Sequence, residues 1–323
     1  MTADTNYRLH ALANASVLQN VDARTRLAGS NVIELLLFSL GSSELYGINV
    51  FKVREITHTP AIARAPNLPA GVAGFVSLRG SIIPVIALPE LVGGAGTACS
   101  NEMMMLTELS GHVQGFLLHS IDRIARVEWS AIHAPDAMLG ADSYISAVTQ
   151  LPDGTLVSVL DVEQVLATIH GEPEVPNLAP AARSEANVFF ADDSAVARRE
   201  IARVLDRLGV RHQHARNGRE AWERLQSHAT HAQLTGEPLS SAIQLVLTDA
   251  EMPEMDGYVL TRNIKSDTRF AGVPVVMHSS LSSAANRSMG ASVGVDAYVA
   301  KFDSHVLAET LRPLIDAPAA APR

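Results

Sequence analysis

Five side chains in the second half of the chain have the types and spacing for phosphoryl chemistry: Asp192, Asp193, Asp249, Ser279 and Lys301. Asp192 and Asp193 follow the apolar run Asn187 to Ala191, and Asp249 closes the segment that starts with Ile243 to Leu247. Ser279 follows Val273 to Met277, and Lys301 follows Ala297 to Ala300. Each run reads as a short buried strand, so the groups stand at strand ends. Carboxylates that converge repel one another, and a site holding several is costly unless a cation is shared. Oxygen-only ligands suit Mg²⁺, which keeps waters and takes one or two carboxylates with a phosphoryl oxygen. With that cation present, Asp249 can attack a phosphoryl group, Lys301 can pair with the transferred oxygens and the Ser279 hydroxyl can donate to one of them. The chemistry is phosphoryl transfer to an aspartate. His212 with His214, and His228 with His231, have spacings a metal can use, but no acidic or cysteine partner completes a site and they read as surface residues.

The elements that must position these groups alternate. Ser194 is an N-cap for a helix whose apolar face is Ala197, Ile201, Val204, Leu205 and Leu208, stopped by Gly209. A strand at Arg211 to Ala215 and a helix at Arg219 to Gln226 follow, and 229 to 242, with its Thr, Gly, Pro and Ser, reads as an exposed loop. Further helices are expected at Tyr258 to Lys265, Ser282 to Met289 and Ser304 to Ile315. Strands alternating with helices in this way predict a doubly wound, five-stranded parallel sheet over 185–316, with ligands at the carboxyl ends of its strands.

The first half reads instead as short strands: Val32 to Leu40, Leu45 to Val50, Gly74 to Arg79, Ser81 to Leu88, Met103 to Leu109, Gln114 to Ile121, Ile124 to Trp129, Tyr144 to Gln150 and Thr155 to Leu160. A brief helix is expected at 161 to 169. That spacing predicts antiparallel barrels or a sandwich over 31–170. No catalytic constellation stands out there. Arg79 is the only charged side chain in Gly71 to Leu88 and sits at a turn, where it reads as either a solvated arginine or a docking contact. His170 to Pro180, with three prolines and a glycine, sets a linker at 171–184. Residues 1–30 form an N-terminal extension with a loose helical periodicity, and 317–323 a low-complexity tail.

Composition narrows the function. At 323 residues and 47% hydrophobic, the chain has room for two domains with their own cores. Residues 1–180 hold 9 Lys/Arg against 17 Asp/Glu and residues 181–323 hold 16 against 17, so the first half carries nearly all of the net charge of −9. That charge lacks the basic footprint of a nucleic-acid binder. No apolar run reaches the roughly 18–20 residues of a membrane span, so direct membrane insertion is not expected. Cys99 stands alone and can close no intramolecular disulfide, which fits a reducing cytoplasmic setting.

Two resemblances join these readings. Leu35 to Leu40 (LLLFSL), Tyr46 to Ile48 (YGI), Val53 to Ile56 (VREI) and Leu78 to Val85 (LRGSIIPV) resemble the CheW-like coupling domain of bacterial chemotaxis. The resemblance implies an all-β double barrel (SH3-like) that bridges chemoreceptors and a histidine kinase, with Arg79 touching a partner. Phe189 to Ser194 (FFADDS), Leu247 to Gly257 (LTDAEMPEMDG), Val275 to Ser280 (VVMHSS) and Tyr298 to Phe302 (YVAKF) resemble the receiver domain of response regulators. By position, that implies Asp249 as phosphoacceptor and Asp192, Asp193 and the backbone carbonyl of Glu251 as further Mg²⁺ ligands. It also implies Ser279 as switch hydroxyl, Tyr298 as switch aromatic and Lys301 as the phosphate-pairing lysine. Phe302 departs from the proline receivers usually carry there. The two together, with no DNA-binding module after them, resemble the CheV-type chemotaxis proteins. The expected function is an adaptor between methyl-accepting chemoreceptors and the kinase at receptor arrays, regulated by phosphorylation and without turnover beyond self-dephosphorylation. Two alternatives remain open: a phosphate sink draining the kinase, or an aspartate-nucleophile phosphohydrolase. The hydrolase family typically has a second Asp where Glu251 stands.

Overall fold

A computed structural model describes residues 32–92, 102–109, 112–133, 143–171, 175–183, 185–280 and 284–317. The expected N-terminal helix, Cys99 and most of the tail lie outside these residues. The first half is built of β1 (Val32–Ser39), β2 (Leu45–Asn49), β3 (Val53–His58), β4 (Val72–Leu78), β5 (Ser81–Ile86), α1 (Leu88–Leu91), β6 (Met103–Leu109), β7 (His112–Leu118), β8 (Ser120–Glu128), β9 (Ile132–His133), β10 (Ile145–Gln150), β11 (Leu156–Leu160) and α2 (Val162–His170). They form two sheets, in the orders β8-β1-β2-β11-β10-β9 and β3-β6-β7-β5-β4.

Side-chain alternation explains why β1 is apolar on both sides. Ile33, Leu35 and Leu37 fill a core of the first sheet with Trp129 and Val157. Leu36 and Phe38 face the opposite way into a core shared with Met105 and Phe116 of the second sheet and Val165 of α2. The second sheet has its own core around Val76, Val85, Met104 and Leu117. Consecutive residues Met104 and Met105 therefore serve different cores, as the period of two requires. Two strands escape the sequence pattern: β3 is mostly half-buried and β9 has only two residues. Leu88 opens α1 rather than extending β5, because Pro89 fits a first helical turn and cannot donate to a ladder.

The second half runs β12 (Asn187–Ala191), α3 (Ala195–Leu208), β13 (Arg211–Ala215), α4 (Gly218–Thr235), β14 (Leu245–Thr248), α5 (Gly257–Ser266), β15 (Val275–Ser279), α6 (Ala284–Val293), β16 (Ala297–Ala300) and α7 (Ser304–Asp316). The sheet is parallel throughout, in the order β13-β12-β14-β15-β16. Val188, Phe190 and Leu247 pack with α3 and α7 on one face, and Phe189, Val246 and Val275 pack with α4 and α5 on the other.

The expected loop at 229–242 is a correction. Helix α4 continues to Thr235, with Ala229 on its buried face, and stops at the left-handed Gly236. The Thr230 and Thr235 hydroxyls donate to the carbonyls of Gln226 and His231 one turn earlier, so these threonines are absorbed by the helix.

The segment joining the halves is held on the side of the second half. Ala181 is buried in the α3–α7 core, its N–H donates to the Leu208 carbonyl at 2.8 Å, and Arg312 donates to the Ala179 carbonyl at 2.7 Å. The two halves also touch directly: the Glu254 N–H donates to the Trp129 carbonyl at 3.1 Å, and α2 packs on α3.

Gly257 fixes where α5 begins. A Cβ there would lie 1.9 Å from the Asp249 carbonyl oxygen, so only glycine lets the helix start against the end of β14. We expect Gly257→Ala to destabilise the second half by roughly 1–3 kcal/mol. Denaturant unfolding followed by the helical circular-dichroism signal measures it; an unchanged midpoint contradicts this packing.

Candidate functional site

The site is built from strand ends. Asp192 and Asp193 follow β12, Asp249 follows β14, Ser279 ends β15 and Lys301 follows β16, so adjacency in the sheet brings together groups more than a hundred residues apart in sequence. Lys301 is the centre of it. Its ammonium is buried and lies 2.9 Å from Asp249 Oδ2 and 3.0 Å from Asp192 Oδ2. The second oxygens of these carboxylates are tied to backbone: Asp192 Oδ1 accepts from the Ser194 N–H at 2.9 Å, and Asp249 Oδ1 from the Ala250 N–H at 2.6 Å. Arg198 donates to the carbonyls of both Asp192 and Asp193, which pins the turn between β12 and α3. Asp192, Asp193 and Asp249 each offer a ligand atom, all within 4.8 Å of one another. Among the described residues no histidine joins a group of this kind.

The electrostatics follow from crowding. Burial pushes the Asp192 and Asp249 carboxyls up, and Lys301 opposes this in both. Burial and the Asp249 charge push Asp193 up to about 7. Burial, against Lys52, pushes Glu251 up to about 8. Lys301 is held charged well above its ordinary value because Asp192 and Asp249 outweigh burial.

Tyr298 and Ser279 are neighbours. The hydroxyls of Ser279, Tyr298 and Tyr258 form a hydrogen-bonded chain, and burial pushes the Tyr298 phenol up to about 12. Arg287 stands over the Tyr298 ring, 6.0 Å from its centroid. Phe302, in the place of the usual proline, takes φ of 64°, a left-handed conformation that is strained for a bulky side chain. The loop still delivers Asp303 to cap α7, its carboxylate accepting from the Val306 N–H at 3.0 Å.

Arg79 is not part of this cluster. It sits with Gly80 in the β4–β5 turn, both at positive φ, and its guanidinium donates to Glu55 at 2.7 Å while remaining 73% exposed. Ile82 beside it is 78% exposed.

Two residues that sequence reasoning missed reach the site from the first half. Glu163, in the first turn of α2, lies 3.3 Å from the Lys301 ammonium and 3.6 Å from that of Lys52, which follows β2. Asp161 caps α2 by accepting from the Gln164 N–H at 3.0 Å, an Asp-x-x-Gln signature visible in the chain. Nothing in the spacing says that the capped helix meets another domain.

The CheW-like domain family matches residues 34–170 and the response regulator receiver domain family matches residues 188–312. CheW of Klebsiella aerogenes is 30% identical over 148 residues, covering 45% of this chain and 88% of that protein. CheY1 of Helicobacter pylori is 33% identical over 130 residues, covering 40% of this chain and 95% of that protein. Chemotaxis protein CheV3 of H. pylori spans both parts, 29% identical over 280 residues, 84% of this chain and 89% of that protein. The chain belongs to the CheV-type chemotaxis proteins. As in that family, a CheW-like domain precedes a receiver. Among the described residues of this CheV-type chain, no helix is long and apolar enough to cross a membrane.

The raised carboxyls set a pH dependence. Asp193 at about 7, Glu251 at about 8 and Asp161, which burial and the Glu163 charge push up to about 6, bind protons more tightly folded than unfolded. The folded state therefore holds more protons between the ordinary carboxylate range and about 8, and stability falls as pH rises through that window. Glu163, held down at about 2 by Lys301 and Lys52 against burial, contributes in the opposite sense below that window; His278, which burial lowers to about 3, does so up to the ordinary imidazole range, where the three raised carboxyls outnumber it. In metal-free buffer we expect the unfolding midpoint to drop between pH about 5 and 8, and Asp193→Asn to flatten the slope. A midpoint that rises with pH contradicts the charge crowding.

Proposed function

We propose that the chain is a chemotaxis adaptor whose CheW-like domain couples chemoreceptors to a histidine kinase and whose receiver accepts a phosphoryl group on Asp249 with Mg²⁺. The observation that carries this reading is the Lys301 ammonium 2.9 Å from Asp249 Oδ2 at the end of the middle strand, with Asp192 and Asp193 alongside. The residues fit the cation: the donor set is oxygen only, and Glu251 Oε2 is buried beside it without a hydrogen-bond partner. Asp192, Asp193, Asp249 and the Glu251 backbone carbonyl would hold Mg²⁺. When bound, it supplies positive charge against the phosphoryl oxygens.

The chain's own residues carry the rest. An Asp249 carboxylate oxygen forms the new P–O bond as the P–N bond of the kinase's phosphohistidine breaks. The imidazole keeps the electron pair and takes a proton from solvent. Lys301 exchanges a carboxylate partner for a phosphoryl oxygen and stabilises the charge that develops there. The Ser279 hydroxyl turns to the new oxygens, Tyr298 loses one of its two hydrogen-bond partners, keeping Tyr258, and reorients, and the surface at β15 and β16 changes. Arg79 and Ile82, exposed at the β4–β5 turn, present an arginine and an apolar side chain to a partner. The protein works in the cytoplasm at receptor arrays as a phosphoacceptor, with turnover limited at most to loss of its own phosphoryl group.

Incubation with a radiolabelled chemotaxis histidine kinase and Mg²⁺ tests the assignment. Wild type is expected to take up label, Asp249→Ala none, and Lys301→Ala at a rate lower by on the order of 10²-fold. Equal labelling of wild type and Asp249→Ala contradicts it.

A further inference from the structure

The CheW-like domain reaches into the receiver's site with one charge of each sign. Glu163 is 1% exposed, and its carboxylate lies 3.3 Å from the ammonium that also holds Asp249. Its other oxygen faces Lys52 at 3.6 Å. Lys52 in turn is held charged, against burial, by Glu163, Glu251 and Asp193. A cation thus stands toward the metal-binding acids and an anion toward the phosphate-binding lysine. This is the pattern that Mg²⁺ and a phosphoryl group would impose.

We propose that the CheW-like domain docks on the unphosphorylated receiver through Lys52 and Glu163, as internal substitutes for the divalent cation and the phosphoryl anion, and that phosphorylation of Asp249 expels them. The inference rests on the reading of Asp249 as phosphoacceptor. The phosphoryl group adds roughly −1 to −2 charges, by analogy with phosphorylated hydroxyls, and needs the same Lys301 ammonium that Glu163 occupies. Glu163 then becomes a like charge beside it, and the bound cation does the same to Lys52. Among the described residues the junction also holds the packing of α2 on α3, the Ser194 side chain hydrogen-bonded to the Glu163 carboxylate, the Glu254 N–H to the Trp129 carbonyl, and Arg199 with Gln164 at 3.5 Å. Loss of the charge pair removes the Glu163–Lys301 contact, 1% exposed on both sides. Arg79 and Ile82 remain exposed in the docked form, so docking sets how the receiver is carried without covering that turn.

The test uses the full chain, with small-angle scattering and limited proteolysis of 171–184 as readouts. Wild type is expected to be compact and slowly cut in metal-free buffer. It should expand, with cleavage at least fivefold faster, when Mg²⁺ and beryllofluoride, a phosphoryl mimic, are added. Glu163→Gln and Lys52→Met, each checked for an unchanged circular-dichroism spectrum, should be expanded without any ligand. Glu163→Gln should also be labelled by acetyl phosphate at least fivefold faster than wild type. Lys52→Met should bind Mg²⁺ several-fold more tightly by calorimetry. Wild-type dimensions and cleavage in both variants overturn the proposal, as does slower labelling of Glu163→Gln. Absence of label in every protein would instead remove the phosphoacceptor reading, and the ligand-free scattering of the variants would still decide the docking.

Discussion

One buried ammonium organises the junction of this protein. Lys301 is 1% exposed and lies within 3.3 Å of carboxylate oxygens from Asp192, Asp249 and Glu163. A buried charge persists only where it is paired, and a cluster of buried carboxylates persists only around a cation. Each requirement meets the other here. The balance is incomplete, because Asp193 and Glu251 add further acidic groups beside it, and burial drives both toward holding protons. In the function we propose, this surplus negative charge, the oxygen donors and the one fixed ammonium exchange partners with a divalent cation and a phosphoryl group.

The same constraint ties the domains together. Glu163 comes from a helix whose buried apolar residues, Val162, Val165 and Ile169, belong to the core shared by the two β-sheets. The carboxylate that pairs with Lys301 is thus rigidly attached to the CheW-like domain. A change in charge at Asp249 is felt by a side chain that cannot move far without its domain. In our account this makes the chemistry of the receiver and the position of the coupling domain one electrostatic problem rather than two.

The receiver was more legible in the sequence than the coupling domain, for a physical reason. Its strands are buried on both faces, so they appear as short apolar runs, and functional groups in a parallel sheet stand at the strand ends that such runs mark. Asp192, Asp249, Ser279 and Lys301 could therefore be placed on the sheet from spacing alone. In the first half the strands are shared among several cores, and β3 and β9 carry too little apolar alternation to announce themselves. Helix α4 outran its sequence signal because threonines that read as loop were bonding back to the helix. The contribution of Lys52 and Glu163 was invisible for a deeper reason. Local pattern records which face of an element is buried, not which domain buries it, and Glu163 reads as an ordinary first-turn acid on an amphipathic helix.

The switch depends on which carboxylate carries the phosphoryl group. The direct measurement is reductive trapping: phosphorylate the full chain with acetyl phosphate and Mg²⁺, reduce the acyl phosphate with borohydride, and map the modified residue by peptide mass spectrometry. The account predicts conversion at Asp249, absent when Mg²⁺ is withheld. Modification at Asp192, Asp193 or a residue outside the strand-end cluster, or none with Mg²⁺ present, would contradict it.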